Sequence, residues 1–105
     1  MTTFDEREQS YEKKFALDEE QKFKAEARRN KLLGLWAAEK LGFSGDAAVA
    51  YAREVVAAEF DEADGVVHKV ARDFAAHGIA LGEREVRAKL GELMEHAAAQ
   101  VKAGA

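Results

Sequence analysis

The sequence predicts an all-α protein, with four helices following a charged N-terminal arm. Beyond residue 17, apolar residues recur at three- and four-residue spacing, and glycine-bearing joints separate the periodic stretches. No run alternates apolar and polar residues as a half-buried strand would. At 105 residues the chain fits one domain, burying roughly two-thirds of its unfolded surface. Proline and cysteine are both absent, so no disulfide or thiolate-metal site supplements the core. Much of the 48% hydrophobic content is alanine. Leu, Ile, Val and Phe make up only about a fifth of the chain, near the lower limit for a globular domain. So lean a core is expected to leave the arm outside it.

The arm, MTTFDEREQSYEKKF at 1–15, pairs Thr3 with Glu6 as a capping box, a place where a helix can start. Phe4, Tyr11 and Phe15 then share one face at i, i+7 and i+11, surrounded by Asp5, Glu6, Arg7, Glu8, Glu12, Lys13 and Lys14. That apolar stripe is too narrow to hold a helix by itself, so the arm is expected to fray when free. Asp18 and Gln21 give a second capping signal, which predicts a break near 16–18 rather than one rod of almost forty residues.

From Asp18 the first bundle helix is expected to run to Leu41, with Gly42 as the left-handed residue after it. Its inner stripe is Phe23, Ala27, Leu33, Trp36, Ala37 and Leu41, broadened by Leu32, with Trp36 in the core. Ser44 can cap a second helix with Asp46 in its first turn. Val49, Ala52, Val56 and Phe60 form its inner face, and the acidic run Asp61, Glu62, Asp64 followed by Gly65 ends it. A third, shorter helix presents Val67, Val70, Ala71 and Phe74 and stops at His77 and Gly78. The last has the cleanest pattern: Val86, Leu90, Leu93, Ala97 and Val101, with Gly82 as N-cap and Leu81 and Val86 placed for a hydrophobic staple. Gly34 and Gly91 lie inside helices at a cost of about 1 kcal/mol each, which suggests that one or both mark a close helix crossing.

Catalytic signatures are missing. His68, His77 and His96 lack the i, i+4 spacing of a helical metal pair and read as structural or solvent-facing. Aligning Gly65 with the invariant glycine of a calcium loop puts Phe60 and Ala71 at the two anchoring ligand positions, so the acidic run reads as an interhelical loop. Gly42, Phe43, Ser44 and Gly45 are too short for a phosphate loop and lead into Asp46. No nucleophile and base pair stands out, so the chain reads as a non-enzyme that needs no cofactor. With 16 basic and 20 acidic residues the net charge is −4, which disfavours nucleic acid and anionic membrane as partners. No apolar run approaches the ~18–20 residues that span a bilayer, and the acidic start is unlike a secretory or transit leader. A cytoplasmic protein is expected.

Two places read as binding candidates. Lys24, Arg28 and Lys31 share a helical face beside Arg29, so Arg28 and Arg29 could meet a phosphate or an acidic protein surface. The competing reading is a solvated face on which Glu20 and Lys24 pair. In the arm, Phe4, Tyr11 and Phe15 either fold back as ordinary core or serve as a partner surface. Their separation from the scaffold and the density of charge around them favour the partner, since aromatics anchor interfaces while charges set approach and register.

At FKAEARRNKLLGLWAAEKLG (23–42) and AYAREVVAAEFDEA (50–63) the chain resembles the zeta subunit of the alphaproteobacterial F-type ATP synthase, an inhibitor family. The likeness takes in the whole opening from MTTFDEREQSYEKKF and, more loosely, VVHKVARDF (66–74) and VRAKLGELM (86–94). The resemblance implies a four-helix bundle, residues 18–105, carrying a mobile arm, residues 1–17. It implies that the arm enters the catalytic head at an α/β interface beside the γ stalk and blocks hydrolytic rotation while permitting synthesis. The α, β and γ subunits are then the partners, on the cytoplasmic face of the inner membrane. Local spacing within that arm selects Phe4, Arg7, Tyr11, Lys14 and Phe15 as its contacts. The alternative is a regulatory or assembly module of the synthase that binds ADP or ATP weakly, through Arg28 and Arg29, or docks without inhibiting.

Overall fold

The computed structural model describes residues 15–104, and among them are four α-helices and no strand. They are α1 (Glu19–Leu41), α2 (Gly45–Ala58), α3 (Gly65–Ala76) and α4 (Glu83–Lys102). The Thr3 and Glu6 capping signal and the Phe4 and Tyr11 stripe lie outside the described residues.

The helix boundaries follow local chemistry. Asp18 Oδ1 accepts from the Gln21 N–H at 2.8 Å and the Asp18 N–H donates to Gln21 Oε1 at 3.2 Å, both halves of a capping box. At the other end of α1, Gly42 adopts φ 85°; its N–H reaches the Glu39 carbonyl at 3.1 Å and the Phe43 N–H reaches that of Ala38 at 2.8 Å. This is a Schellman closure, a turn that satisfies otherwise orphaned carbonyls at the helix end. The same closure ends α3, with Gly78 at φ 68° and Ile79 donating to the Phe74 carbonyl at 2.9 Å. Ser44 occupies the N-cap of α2 without a side-chain cap bond, contrary to the capping role expected of its hydroxyl. Gly82 starts α4, and its N–H is taken by Glu85 Oε2 at 2.9 Å.

α1 is the central element, packed along α2 on one side and α4 on the other. Gly34 marks the crossing with α2: a Cβ there would lie 2.6 Å from Ala52 Cα and 3.2 Å from Val55 Cβ. The larger core gathers Leu33, Ala37 and Ala38 of α1, Tyr51 and Val55 of α2, Val66, Val67, Val70 and Phe74 of α3, and Val86 of α4. Trp36 is half-buried at its edge, 5.6 Å from Phe74 in an edge-on arrangement, with the Lys89 ammonium 5.7 Å from the indole centroid. Tyr51 donates to Asp73 at 2.8 Å while Lys69 reaches the same carboxylate at 3.1 Å. Burial and then the Asp73 carboxylate hold the Tyr51 hydroxyl far above the ordinary phenol range.

The expected inner faces need correction in α1 and α2. Phe23 is 67% exposed and Ala27 is also exposed, whereas Ala25 and Asn30 are buried. In α2 the buried set is Tyr51, Ala52, Val55 and Ala58; Val49 is exposed and Val56 only half-buried. The close approach at Gly34 draws α2 in along the Ala52 and Val55 line, rotating its inner face by about one residue. α2 also ends before the acidic run, leaving Phe60 outside the helix and 78% exposed. In α3, Val66 is buried and Ala71 half-buried. The α4 pattern holds at Val86, Ala97 and Val101, is half-buried at Leu90 and Leu93, and gains Met94 and Ala98.

Candidate functional site: the joint where the arm meets the bundle

A second, smaller core lies between the N-terminal part of α1 and the C-terminal part of α4. Ala25, Met94, Ala97, Ala98 and Val101 are buried there, and Phe15 and Leu17 pack against them, each half-buried. Between those two residues the chain turns sharply. Ala16 has φ 48°, in the left-handed region, which costs a non-glycine residue about 1–2 kcal/mol. Two residues later the Asp18 box starts α1 afresh. The Phe15 and Leu17 side chains and the Asp18 cap therefore hold the Ala16 backbone from both sides.

Phe15 thus meets the bundle, while Phe4, Arg7, Tyr11 and Lys14 lie outside the described residues. Arg28 and Arg29 point about 100° apart as helix neighbours, so the fold does not converge them on one anion. Arg29 is committed within the bundle: its Nη2 meets Glu59 Oε1 at 3.2 Å and its Nε donates to Asn30 Oδ1 at 3.0 Å, with only 18% of its side chain exposed. An anion at Arg29 would have to displace the Glu59 carboxylate. Asn30 is fully buried, and with Oδ1 taken by Arg29 its Nδ2 has no hydrogen-bond partner among the described residues. Such an orphaned donor costs about 1–3 kcal/mol, so this stretch of α1 is poorly optimised for stability. Glu20 and Lys24 form the expected pair at 3.2 Å, both largely exposed.

The histidines occupy structural surroundings. His68 stands between Glu62 at 3.5 Å and Glu83 at 3.7 Å, His77 Nδ1 lies 2.9 Å from the Asp73 carbonyl at the end of α3, and His96 is exposed. Asp64 and Glu83 both pair with Arg87, so the acidic interhelical run ties α3 to α4. Among the described residues no group of three His, Cys, Asp or Glu side chains is placed to hold a metal ion, and no helix is long and apolar enough to cross a membrane.

Two features of the joint had no sequence signal. An alanine at left-handed φ is unremarkable in sequence, and Asn30 reads as one more polar helix residue. The Asp18 and Gln21 spacing alone marked the place.

Comparison with known proteins adds one finding at the scale of the whole chain. The family model described as ATPase inhibitor subunit zeta matches residues 1–100, which include the arm, the joint and all but the end of α4. A search of curated proteins found no match.

Proposed function

The chain belongs to the ATPase inhibitor subunit zeta family, and we propose that it inhibits F-type ATP synthase by inserting residues 1–17 at an α/β catalytic interface beside the γ stalk. Hydrolytic rotation is blocked there and synthesis is spared. Residues 18–105 act as the mount that sets where the arm leaves and in which direction. The observation that carries this reading is the extent of the family match, which begins at the first residue and so takes in the arm together with the bundle.

The joint supports the division of labour. A capping box at Asp18 and a left-handed Ala16 end the bundle's helical continuity at a fixed place, so whatever residues 1–14 contact is decoupled from the long α1 rod. Arg7 and Lys14 supply the polar contacts of the arm and Phe4 and Tyr11 the apolar ones, while Phe15, packed on the second core, anchors its root. Binding by such a segment pays an ordering cost that subtracts from affinity, which favours capture in a groove that opens during turnover. The protein would then reside at the cytoplasmic face of the inner membrane through its attachment to the synthase. It carries out no chemistry of its own and needs no cofactor.

The test is ATP hydrolysis by the purified cognate head with the full chain and with a chain lacking residues 1–14. Cutting after Lys14 leaves Phe15 and Leu17 on their seat, so the second core is preserved. Inhibition by the full chain alone supports the proposal. Equal inhibition by both chains overturns the arm mechanism, and binding without inhibition by either would make the protein a docking or assembly subunit.

A further inference from the structure

Phe23, Ala27, Asn30 and Gly34 follow one another at i, i+4, i+7 and i+11, and so lie along one face of α1. At Gly34 that face is in contact with Ala52 and Val55 of α2. One turn earlier Asn30 is still buried, and beside it Arg29 reaches Glu59 just past the last residue of α2. There α2 stops. The same face continues to Ala27 and Phe23, where no helix of the described residues lies over it, and Phe23 is 67% exposed. Phe60, the residue after Glu59, is 78% exposed at the same end of the bundle. Small proteins rarely expose a large contiguous apolar patch unless a partner covers it.

We infer that Phe23, Ala27 and Phe60 form a second docking surface by which the bundle itself seats on the synthase head, next to the groove that receives the arm. This rests on the inhibitor reading above. The choice of occupant follows from where the chain leaves the bundle. Phe23 is five residues past Asp18, about 7.5 Å along the α1 axis, so a protein surface that takes in the arm borders this face at once. Charge adds a second argument. The chain's net charge is −4, yet two lysines flank Ala27 in sequence. Lys24 and Lys31 are exposed on either side of Ala27. Among the described residues Lys24 pairs with Glu20 across an open surface, an interaction weak enough to exchange for another carboxylate. The matching surface on the head is apolar, with room for two aromatic rings and acidic groups facing Lys24 and Lys31. The bundle and the arm then bind as two linked modules, each raising the effective concentration of the other.

The test uses the full chain with Phe23→Ser and Phe60→Ser together, and Val49→Ser as a control for removing an exposed apolar side chain elsewhere. Binding to the purified head and inhibition of its ATP hydrolysis are measured separately, alongside the urea midpoint of each chain. The expected result is an unchanged midpoint with binding weakened about tenfold or more, and no change for the Val49 variant. Wild-type binding by the double variant overturns the inference. So does stronger inhibition, which would mean that the patch holds the chain's own arm, or conversion of a wild-type dimer to monomer, which would assign it to a second copy. A wild-type chain that binds without inhibiting refutes the arm mechanism alone, because the binding arm still tests the patch. A wild-type chain that does neither overturns both.

Discussion

Around the Gly42 end of α1, four helices converge on Leu33, Val55, Val70, Phe74 and Val86, all without solvent exposure. Around the Asp18 end, α1 and α4 enclose Ala25, Met94, Ala97, Ala98 and Val101, with Phe15 and Leu17 packed against them. The first end is sealed by two Schellman turns and a Tyr51, Asp73 and Lys69 network. The second carries a left-handed alanine, an orphaned buried amide and, close by, two exposed phenylalanines. α3 explains the contrast. At 12 residues against 23 for α1 it is about 18 Å long and lies, like the 14-residue α2, beside the Gly42 half, so among the described residues α1 and α4 alone extend into the Asp18 half. One end is built to stay folded, and the other accepts weak packing where the chain enters α1.

If stability is concentrated in the four-helix end, Phe74→Ala should cost about 3–5 kcal/mol, enough to unfold much of the population, as read by urea denaturation followed by circular dichroism. A loss below about 1 kcal/mol would mean that the cores are less unequal than their burial suggests. Gly34→Ala comes next. Its Cβ would lie 2.6 Å from main chain of α2, so overpacking of about 1–3 kcal/mol outweighs the roughly 1 kcal/mol that alanine gains in helix propensity. A variant as stable as wild type would refute the close crossing. The smallest effect belongs to the joint: Ala16→Gly relieves the left-handed backbone and should stabilise the chain by about 0.5–1 kcal/mol in the same assay. A destabilised Ala16→Gly chain would show that the turn is not under strain.

Sequence reading recovered what local chemistry specifies. Asp18 with Gln21, Gly42, Gly78 and Gly82 gave helix limits within a residue, because caps and left-handed glycines act over one turn. The all-α class followed from periodicity alone. Facing was less legible: Phe23 and Phe60 read as core by hydrophobicity, and only the point at which α2 ends shows why no helix of the described residues covers them. The α2 face was misjudged for a related reason, since its rotation depends on a glycine in another helix. At the candidate site the break at 16–18 was readable, but Phe15 meeting α4 residues some eighty positions later was not.

Gly34 has leverage beyond its own contact. Since the atom it would strike is Ala52 Cα, no change of side chain at 52 makes room, and relief requires α2 to move away as a body. Tyr51 sits one residue before that fulcrum, with its hydroxyl 2.8 Å from Asp73, and Glu59 sits seven residues after it, 3.2 Å from Arg29. Both bonds have only a few tenths of an ångström to spare before they weaken. A single absent methyl group therefore sets the calibration of polar contacts at the middle and the C-terminal end of α2, one fastening α3 and the other fixing the place where Phe60 emerges.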